Sequence, residues 1–321
     1  MANQESTPDI RLERAAAASV RSWHARRKTQ SYSKKNVSIN CGWGRLLFGQ
    51  TFDSHQKVIE ELARERQGER DIAFYVREPH VLTALAPQDL FLDPSHSYRM
   101  WLEKYHPKKN GIGSIIVRRI VRRLDLGAIR RIYERRGMLP PDEDFLWKKR
   151  NSRSAFYLVA EDVDSGTILG SVMGLDHKMA FEDPENGSSL WALVVDTNCA
   201  QPGVGEALTR YLLEKFAAVG REFMDLSVMH DNEFAIRLYE KLGFERVPVF
   251  CVKRKNPINE ALYVGPRKAD KINYYSRAIV SEARRRGIRV DILDPNCGYY
   301  TLSFGGKQLT CRESLTDLTS S

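Results

Sequence analysis

The sequence predicts an α/β (α+β) protein whose central part alternates strands and helices in regular succession. Three observations carry this. Between about residues 114 and 252, segments with strand-like patterning alternate with segments of helical spacing. Ser189–Val195 (SLWALVV) is an almost unbroken apolar run, as expected of a strand buried on both faces. Asp164-Ser165-Gly166 joins two strand patterns and is a hairpin signature.

The elements follow in order. Residues 1–35 read as a basic disordered tail with a short helix over Arg11–Arg21. Residues 36–110 read as a small α+β subdomain of unassigned role. In it Ser54–Gln67 has helical spacing that stops at Gly68, Asp71–Val76 (DIAFYV) has strand character, and Pro79, Pro87, Pro94 and Pro107 punctuate the rest. Lys108–Gly113 (KKNGIG) is the expected boundary. The main domain, 112–255, opens with a strand at Ser114–Val121 and a helix at Leu126–Arg136 that Gly137 ends. Strands are expected at Ala155–Glu161, Thr167–Leu175, Ser189–Val195, Phe223–Met229 and Gly243–Val252, with helices at Gly203–Val219 and Asn232–Leu242. Pro257–Arg267 reads as a linker. A last segment, 266–321, begins with a helix at Lys271–Arg286, capped by Gly287, and a strand at Ile288–Leu293.

Composition narrows the function classes. Of the 321 residues, 42% are hydrophobic and 28% charged, the balance of a soluble globular protein. No apolar run approaches the roughly 20 residues that span a bilayer, and the first 35 residues lack an apolar targeting core. Cytoplasm is the default expectation. The five cysteines are scattered without a C-x-x-C pair, and the seven histidines form no ligand-spaced cluster, so neither disulfides nor a metal site is expected. Net charge is +9, and residues 112–153 alone hold twelve Lys/Arg against five Asp/Glu. These arginines (Arg118, Arg119, Arg122, Arg123, Arg130, Arg131, Arg135 and Arg136) suit a solvated face, an anionic ligand or nucleic acid. Aromatics are not interleaved with them in a stacking pattern, which argues against nucleic acid.

Two motifs carry chemistry. The first is strand, glycine-bearing loop and helix, SLWALVVDTNCAQPGVGEALTRYLL. Gly203 and Gly205 remove side chains where backbone must approach a ligand, and the free N–H groups of the helix start suit a pyrophosphate. Leu208, Tyr211, Leu212 and Phe216 share the face that would hold this helix against a sheet. A three-glycine dinucleotide fingerprint is not present. The second motif is Val228–Phe244, VMHDNEFAIRLYEKLGF, in which Ala235, Leu238, Tyr239 and Leu242 form one apolar stripe. Asn232 is placed to cap that helix and Gly243 to end it. On spacing alone, both motifs also fit packed helices, with Tyr239 in the core.

Together the two motifs resemble the GNAT acetyltransferase superfamily, over about 140 residues. The resemblance implies a central mixed sheet flanked by helices, acetyl-CoA as acetyl donor, and acetyl transfer to a small-molecule amine or dipeptide. It implies that Leu193, Val194 and Val195 pair through their backbone with the pantetheine arm, the Val195 N–H polarising the thioester carbonyl. Gln201, Pro202, Gly203, Val204 and Gly205 would cradle the pyrophosphate, Asn232 would touch the pantetheine, and Tyr239 would protonate the departing thiolate. The position three before the first glycine, Arg or Gln in the family, is Ala200 here, with Gln201 one place later. Asp176, Glu182, Asp183 and Glu185 are the acids near the third strand's end, and none is assigned as base.

Longer strings resemble a narrower family, the N-acetylglutaminylglutamine synthetases: Ile39–Phe52, Arg70–Leu82, Ala86–Leu102 and Asp294–Ser320. That resemblance implies the α-amino group of glutaminylglutamine as acceptor, in making an osmoprotectant, with an acetyltransferase fused to an ATP-grasp ligase. Residues 266–321 would then be an incomplete pre-ATP-grasp segment, loosely packed for want of partners. Ligase activity is not expected of this chain, and a separate ligase or amidotransferase becomes a possible pathway partner. Acetylation of another amine, such as an amino acid or protein N-terminus, and a non-catalytic basic nucleic-acid or CoA-binding module are the competing readings.

Overall fold

The computed structural model describes residues 32–107, 114–263 and 272–318. The helix expected at Arg11–Arg21, most of the basic tail and the Lys108–Gly113 boundary lie outside these residues.

The N-terminal part contributes β1 (Ser38–Asn40), β2 (Arg45–Phe48), α1 (His55–Ala63), β3 (Ile72–Phe74), α2 (Pro79–Leu85), β4 (Leu90–Leu92) and β5 (Ser95–Trp101). The central part runs β6 (Ile115–Arg119), α3 (Arg123–Arg135), α4 (Glu143–Lys149), β7 (Ala155–Asp162), β8 (Ile168–Asp176), α5 (His177–Phe181) and β9 (Ser188–Val195). It continues with α6 (Val204–Ala218), β10 (Phe223–Met229), α7 (Glu233–Leu242), β11 (Glu245–Val247), β12 (Val252–Arg254) and α8 (Glu260–Tyr263). The C-terminal part holds α9 (Tyr274–Arg285), β13 (Arg289–Asp294), β14 (Tyr299–Phe304), β15 (Lys307–Arg312) and β16 (Leu315–Thr316).

The central strands form a seven-stranded mixed sheet in the order β11-β5-β10-β9-β8-β7-β6. Only the β9–β10 neighbours run parallel. The β7–β8 hairpin turns at Asp164-Ser165-Gly166, where Gly166 takes φ +67° and Asp162 Oδ2 accepts from the Ser165 hydroxyl at 2.5 Å. Side chains of α3 and α4 cover one face of the sheet, those of α6 and α7 the other. Tyr133 and Leu146 are buried on the first face, Leu212, Phe216 and Tyr239 on the second.

The expected boundary near residue 110 does not separate two cores. Strand β5, from the N-terminal part, lies between β10 and β11 in the central sheet, paired with β10 from Ser95–Met229 to Trp101–Phe223. In return β12 lies between β3 and β4 in the N-terminal sheet. The strand expected over Gly243–Val252 is therefore two strands in two sheets. Pro248 lies at the break between them and has no N–H to continue a ladder. One core accordingly mixes Phe48, Phe74 and Tyr75 with Tyr133, Trp191 and Cys251.

The C-terminal part also differs from expectation. Its helix and first strand do have partners: β13 to β16 form an antiparallel meander. Together with α9 it encloses Ile272, Val280, Tyr300 and Cys311. Repeated aromatic and β-branched residues at Tyr299–Phe304 and a Gly305-Gly306 turn were the available signal for the hairpin.

Candidate active site

The site begins where two parallel neighbours part. Strands β9 and β10 pair only at Ser188–Met224, Ser189–Asp225 and Leu190–Leu226, yet β9 runs on to Val195 and β10 to Met229. Beyond Leu190 the strands open a notch in the middle of the sheet. A bulge in β9 helps to turn it. Ser171 faces Val194 and Met173 faces Trp191, so Ala192 and Leu193 together oppose Val172. Ala192 takes φ +49°, a conformation that is costly for a residue with a Cβ, and its carbonyl accepts from the Tyr133 hydroxyl at 3.0 Å.

Past the bulge, the Asp196 amide donates to Leu169 O at 2.8 Å, so Asp196 faces β8. Backbone direction alternates along a strand, which turns the amide and carbonyl of Val195 away from β8, towards the notch. A side chain meets that edge: Arg136 Nε donates to Val195 O at 2.7 Å.

The loop after β9 delivers α6 beside the notch. Gly203 is the N-cap at φ +89° and offers no side chain to the first N–H groups, leaving them for an anion. A Cβ on Gly205 would lie 3.4 Å from Leu238, 3.8 Å from Val195 and 3.9 Å from Leu193, so the helix start sits between β9 and α7. Gln201 is half-buried and donates to Ser114 Oγ at 3.1 Å, while Pro202 is exposed and Val204 buried. Glu206, in the first turn, is neutralised by Arg210 and Lys241, each at 2.8 Å. Lys241 and Arg210 hold its pKa below the ordinary glutamate value, against the effect of burial.

Helix α7 closes the far side. Asn232 is its exposed N-cap, accepting from the Ala235 amide at 3.3 Å, and Gly243 ends it at φ +96°. Tyr239 is buried among Val204, Leu226 and Val228. Its hydroxyl makes no hydrogen bond among the described residues, and burial pushes its pKa well above the usual tyrosine value. The hydroxyl therefore stays protonated at neutral pH.

The other groups singled out in the sequence go elsewhere. Asp176 caps α5 through the Met179 amide and takes Arg221 at 2.9 Å; Asp183 accepts from the Gly187 amide at 3.0 Å; Glu182 binds Ser33 and Lys34 at the surface. Most of the arginine stretch is paired internally. Arg118 and Arg122 hold Asp125 and Glu161, Arg119 donates to Ser152 O at 2.7 Å, Arg130 meets Glu143 and Arg135 meets Asp196. Arg118, Arg122, Arg130 and Arg135 thus meet carboxylates, which interrupts the open cationic stripe that nucleic acid favours.

Sequence reasoning passed over Tyr133 and Ala192, which shape the bulge, and the buried group around Asp225. Nothing in the run SLWALVV marks Ala192 as left-handed. Asp225 inside an apolar strand was a signal, since a buried carboxylate requires a partner.

The chain is similar to several known proteins. Residues 127–244 match the sequence profile of the acetyltransferase (GNAT) family. An acetyltransferase of Pectobacterium atrosepticum is 35% identical over 140 residues, 43% of this chain and 93% of that protein. A GCN5-related N-acetyltransferase of Sphaerobacter thermophilus has 16% identity and a TM-score of 0.42, over 62% of this chain and 64% of that one. A GNAT-family protein of Novosphingobium aromaticivorans has 14% identity and a TM-score of 0.45, over 76% and 96%.

Proposed function

The chain belongs to the GNAT acetyltransferase family and is an acyltransferase, and on that premise we propose that it moves an acetyl group from acetyl-CoA to the α-amino group of glutaminylglutamine. One observation carries the acetyl-transfer reading. The parting of β9 from β10 leaves the Val195 N–H without a strand partner among the described residues, beside the uncapped start of α6. The acceptor rests on the resemblance of Ile39–Phe52, Arg70–Leu82, Ala86–Leu102 and Asp294–Ser320 to N-acetylglutaminylglutamine synthetases.

In this reading the N–H groups of Gln201, Gly203, Val204 and Gly205 hold the pyrophosphate, with Pro202, which has no N–H, shaping the loop; Leu193, Val194 and Val195 lie along the pantetheine and Asn232 at its side. The coenzyme supplies an activated thioester. Val195 N–H steadies the oxyanion, and Tyr239 gives its proton to the departing thiolate. Holding amine and thioester together contributes much of the acceleration. No carboxylate is assigned as base, and an ordered water is the remaining agent for the amine proton. We assign the reaction to the cytoplasm; the described helices include none long and apolar enough to cross a membrane. A separate ligase or amidotransferase of the same pathway is the partner this function calls for.

The test is release of coenzyme thiol with a panel of amines. Glutaminylglutamine should give the highest kcat/KM, and faster turnover of free amino acids or of a peptide N-terminus would replace it as acceptor.

A further inference from the structure

Arg136 follows α3 and touches two parts of the chain at once. Its Nε donates to Val195 O at 2.7 Å and its Nη1 donates to Gly287 O at 3.2 Å. Gly287 lies just past α9, and the C-terminal part meets the rim of the notch at two further points. The Gly305 amide donates to Thr197 O at 2.6 Å, and Arg285 pairs with Glu233, the first residue of α7, at 2.6 Å. Arg136 thus stands on the open edge of β9, under a wall formed by residues 285–305.

Its electrostatics are unbalanced. Burial pushes its pKa down against the pull of Asp196. The Asp196 carboxylate is already taken by Arg135, at 2.9 and 3.1 Å. Asp196 is therefore paired with Arg135 and acts on Arg136 only at a distance, and among the described residues no acid is in ion-pair contact with Arg136. A partly desolvated guanidinium that two carbonyls hold, with no other partner among the described residues, retains capacity for a planar anion.

The face it occupies decides which anion. Helix α6, whose start suits the pyrophosphate, packs with Leu193 and Val195 on one side of the sheet. Helix α3 packs with Trp191 and Val194 on the other. Coenzyme gripped from the α6 face leaves the α3 face for the incoming amine, because direct transfer needs both reactants in the notch together.

We propose that Arg136 is a specificity-determining residue that binds a carboxylate carried by the acceptor alongside its amine. The assignment rests on the acetyl-transfer reading of the notch. It restricts the acceptor to amines of the amino-acid or peptide class with a free carboxylate, and disfavours their amides.

The experiment compares glutaminylglutamine with its C-terminal carboxamide as acceptors at saturating acetyl-CoA, in the full chain and in Arg136→Met and Arg136→Lys. Wild type should prefer the carboxylate by about 10-fold or more in kcat/KM, the scale of a hydrogen bond to a charged group. Arg136→Met should bring the ratio close to one, and Arg136→Lys should restore part of it. Calorimetry of glutaminylglutamine binding without coenzyme should show the same order. Retained preference in Arg136→Met overturns the proposal. So does loss of acetyl-CoA affinity with the preference intact, which would set the arginine against the coenzyme phosphates. If no amine is acetylated, the acetyl-transfer reading fails, and the calorimetric arm decides separately: dipeptide binding abolished by Arg136→Met sustains the carboxylate site, and absent or unaffected binding overturns it.

Discussion

Arg99 and Asp225 are joined by two 2.8 Å hydrogen bonds inside the seven-stranded sheet, at paired positions of β5 and β10. The Tyr75 hydroxyl donates to the same carboxylate at 2.5 Å. Tyr75 and Arg99 belong to the N-terminal part and Asp225 to the central part, so the group fastens the N-terminal part into the central sheet. It lies one step before β9 and β10 part, where Asp225 registers with Ser189. Ser189 itself is held by the His177 ring at 2.8 Å and Trp191 Nε1 at 2.7 Å. These buried bonds set where the notch begins.

Replacing Asp225 with Ala should destabilise the protein by about 3–5 kcal/mol, since it leaves the Arg99 charge buried and unpaired. The double replacement Asp225→Leu with Arg99→Met should be much milder. Urea unfolding of both variants measures this. A fragment starting at residue 114 lacks β5 and should not fold, as judged by circular dichroism.

Much of the central fold was legible in the sequence because its signals are local. Ser189–Val195 is uniformly apolar, Phe223–Met229 keeps strand character throughout, and Asn232 and Gly243 bracket a striped helix. The exchange of β5 for β12 was not legible. Ser95–Trp101 (SHSYRMW) contains His96 and Arg99, and only long-range pairing with Asp225 and Phe223 makes it a central strand. The notch was legible as a motif and not as a shape, because the left-handed Ala192 and the bulge depend on Tyr133 and β8.

Tyr239→Phe removes a hydroxyl without removing the ring that packs against Phe244 at 5.6 Å. If that hydroxyl is the acid, kcat should fall by about 100-fold while acetyl-CoA affinity stays within a factor of two. Steady-state rates with a thiol reagent, together with calorimetry, separate the two quantities. An unchanged kcat removes Tyr239 from the mechanism.

The two glycines of the α6 loop should respond differently. At Gly205 an added methyl meets only ordinary contacts, so Gly205→Ala should leave stability unchanged or raise it by about 0.5–1 kcal/mol. Gly203 has φ +89°, and Ala there should cost about 1–2 kcal/mol. If the helix start carries the pyrophosphate, Gly205→Ala should weaken acetyl-CoA binding despite its stable fold. Melting curves with and without acetyl-CoA distinguish these outcomes.

Stability should erode in alkali. Burial raises the pKa of Tyr75, Tyr133, Tyr157 and Tyr239 above the ordinary value of 10.0. The folded chain then binds more protons than the unfolded chain above pH 10, so stability falls as pH rises. The contribution is complete below pH 10 and lost progressively above it. Thermal melts from pH 8 to 11 should be flat at first and then drop; a midpoint that holds to pH 11 would contradict the burial of these hydroxyls.

The most direct measurement is calorimetric titration of acetyl-CoA into the full chain, with Gly205→Ala beside it. The parted strands and the uncapped α6 predict one site with micromolar affinity, weakened at least several-fold in the variant. No heat of binding up to millimolar coenzyme, or equal affinity in both proteins, would contradict the assignment of this notch as the acetyl-CoA site.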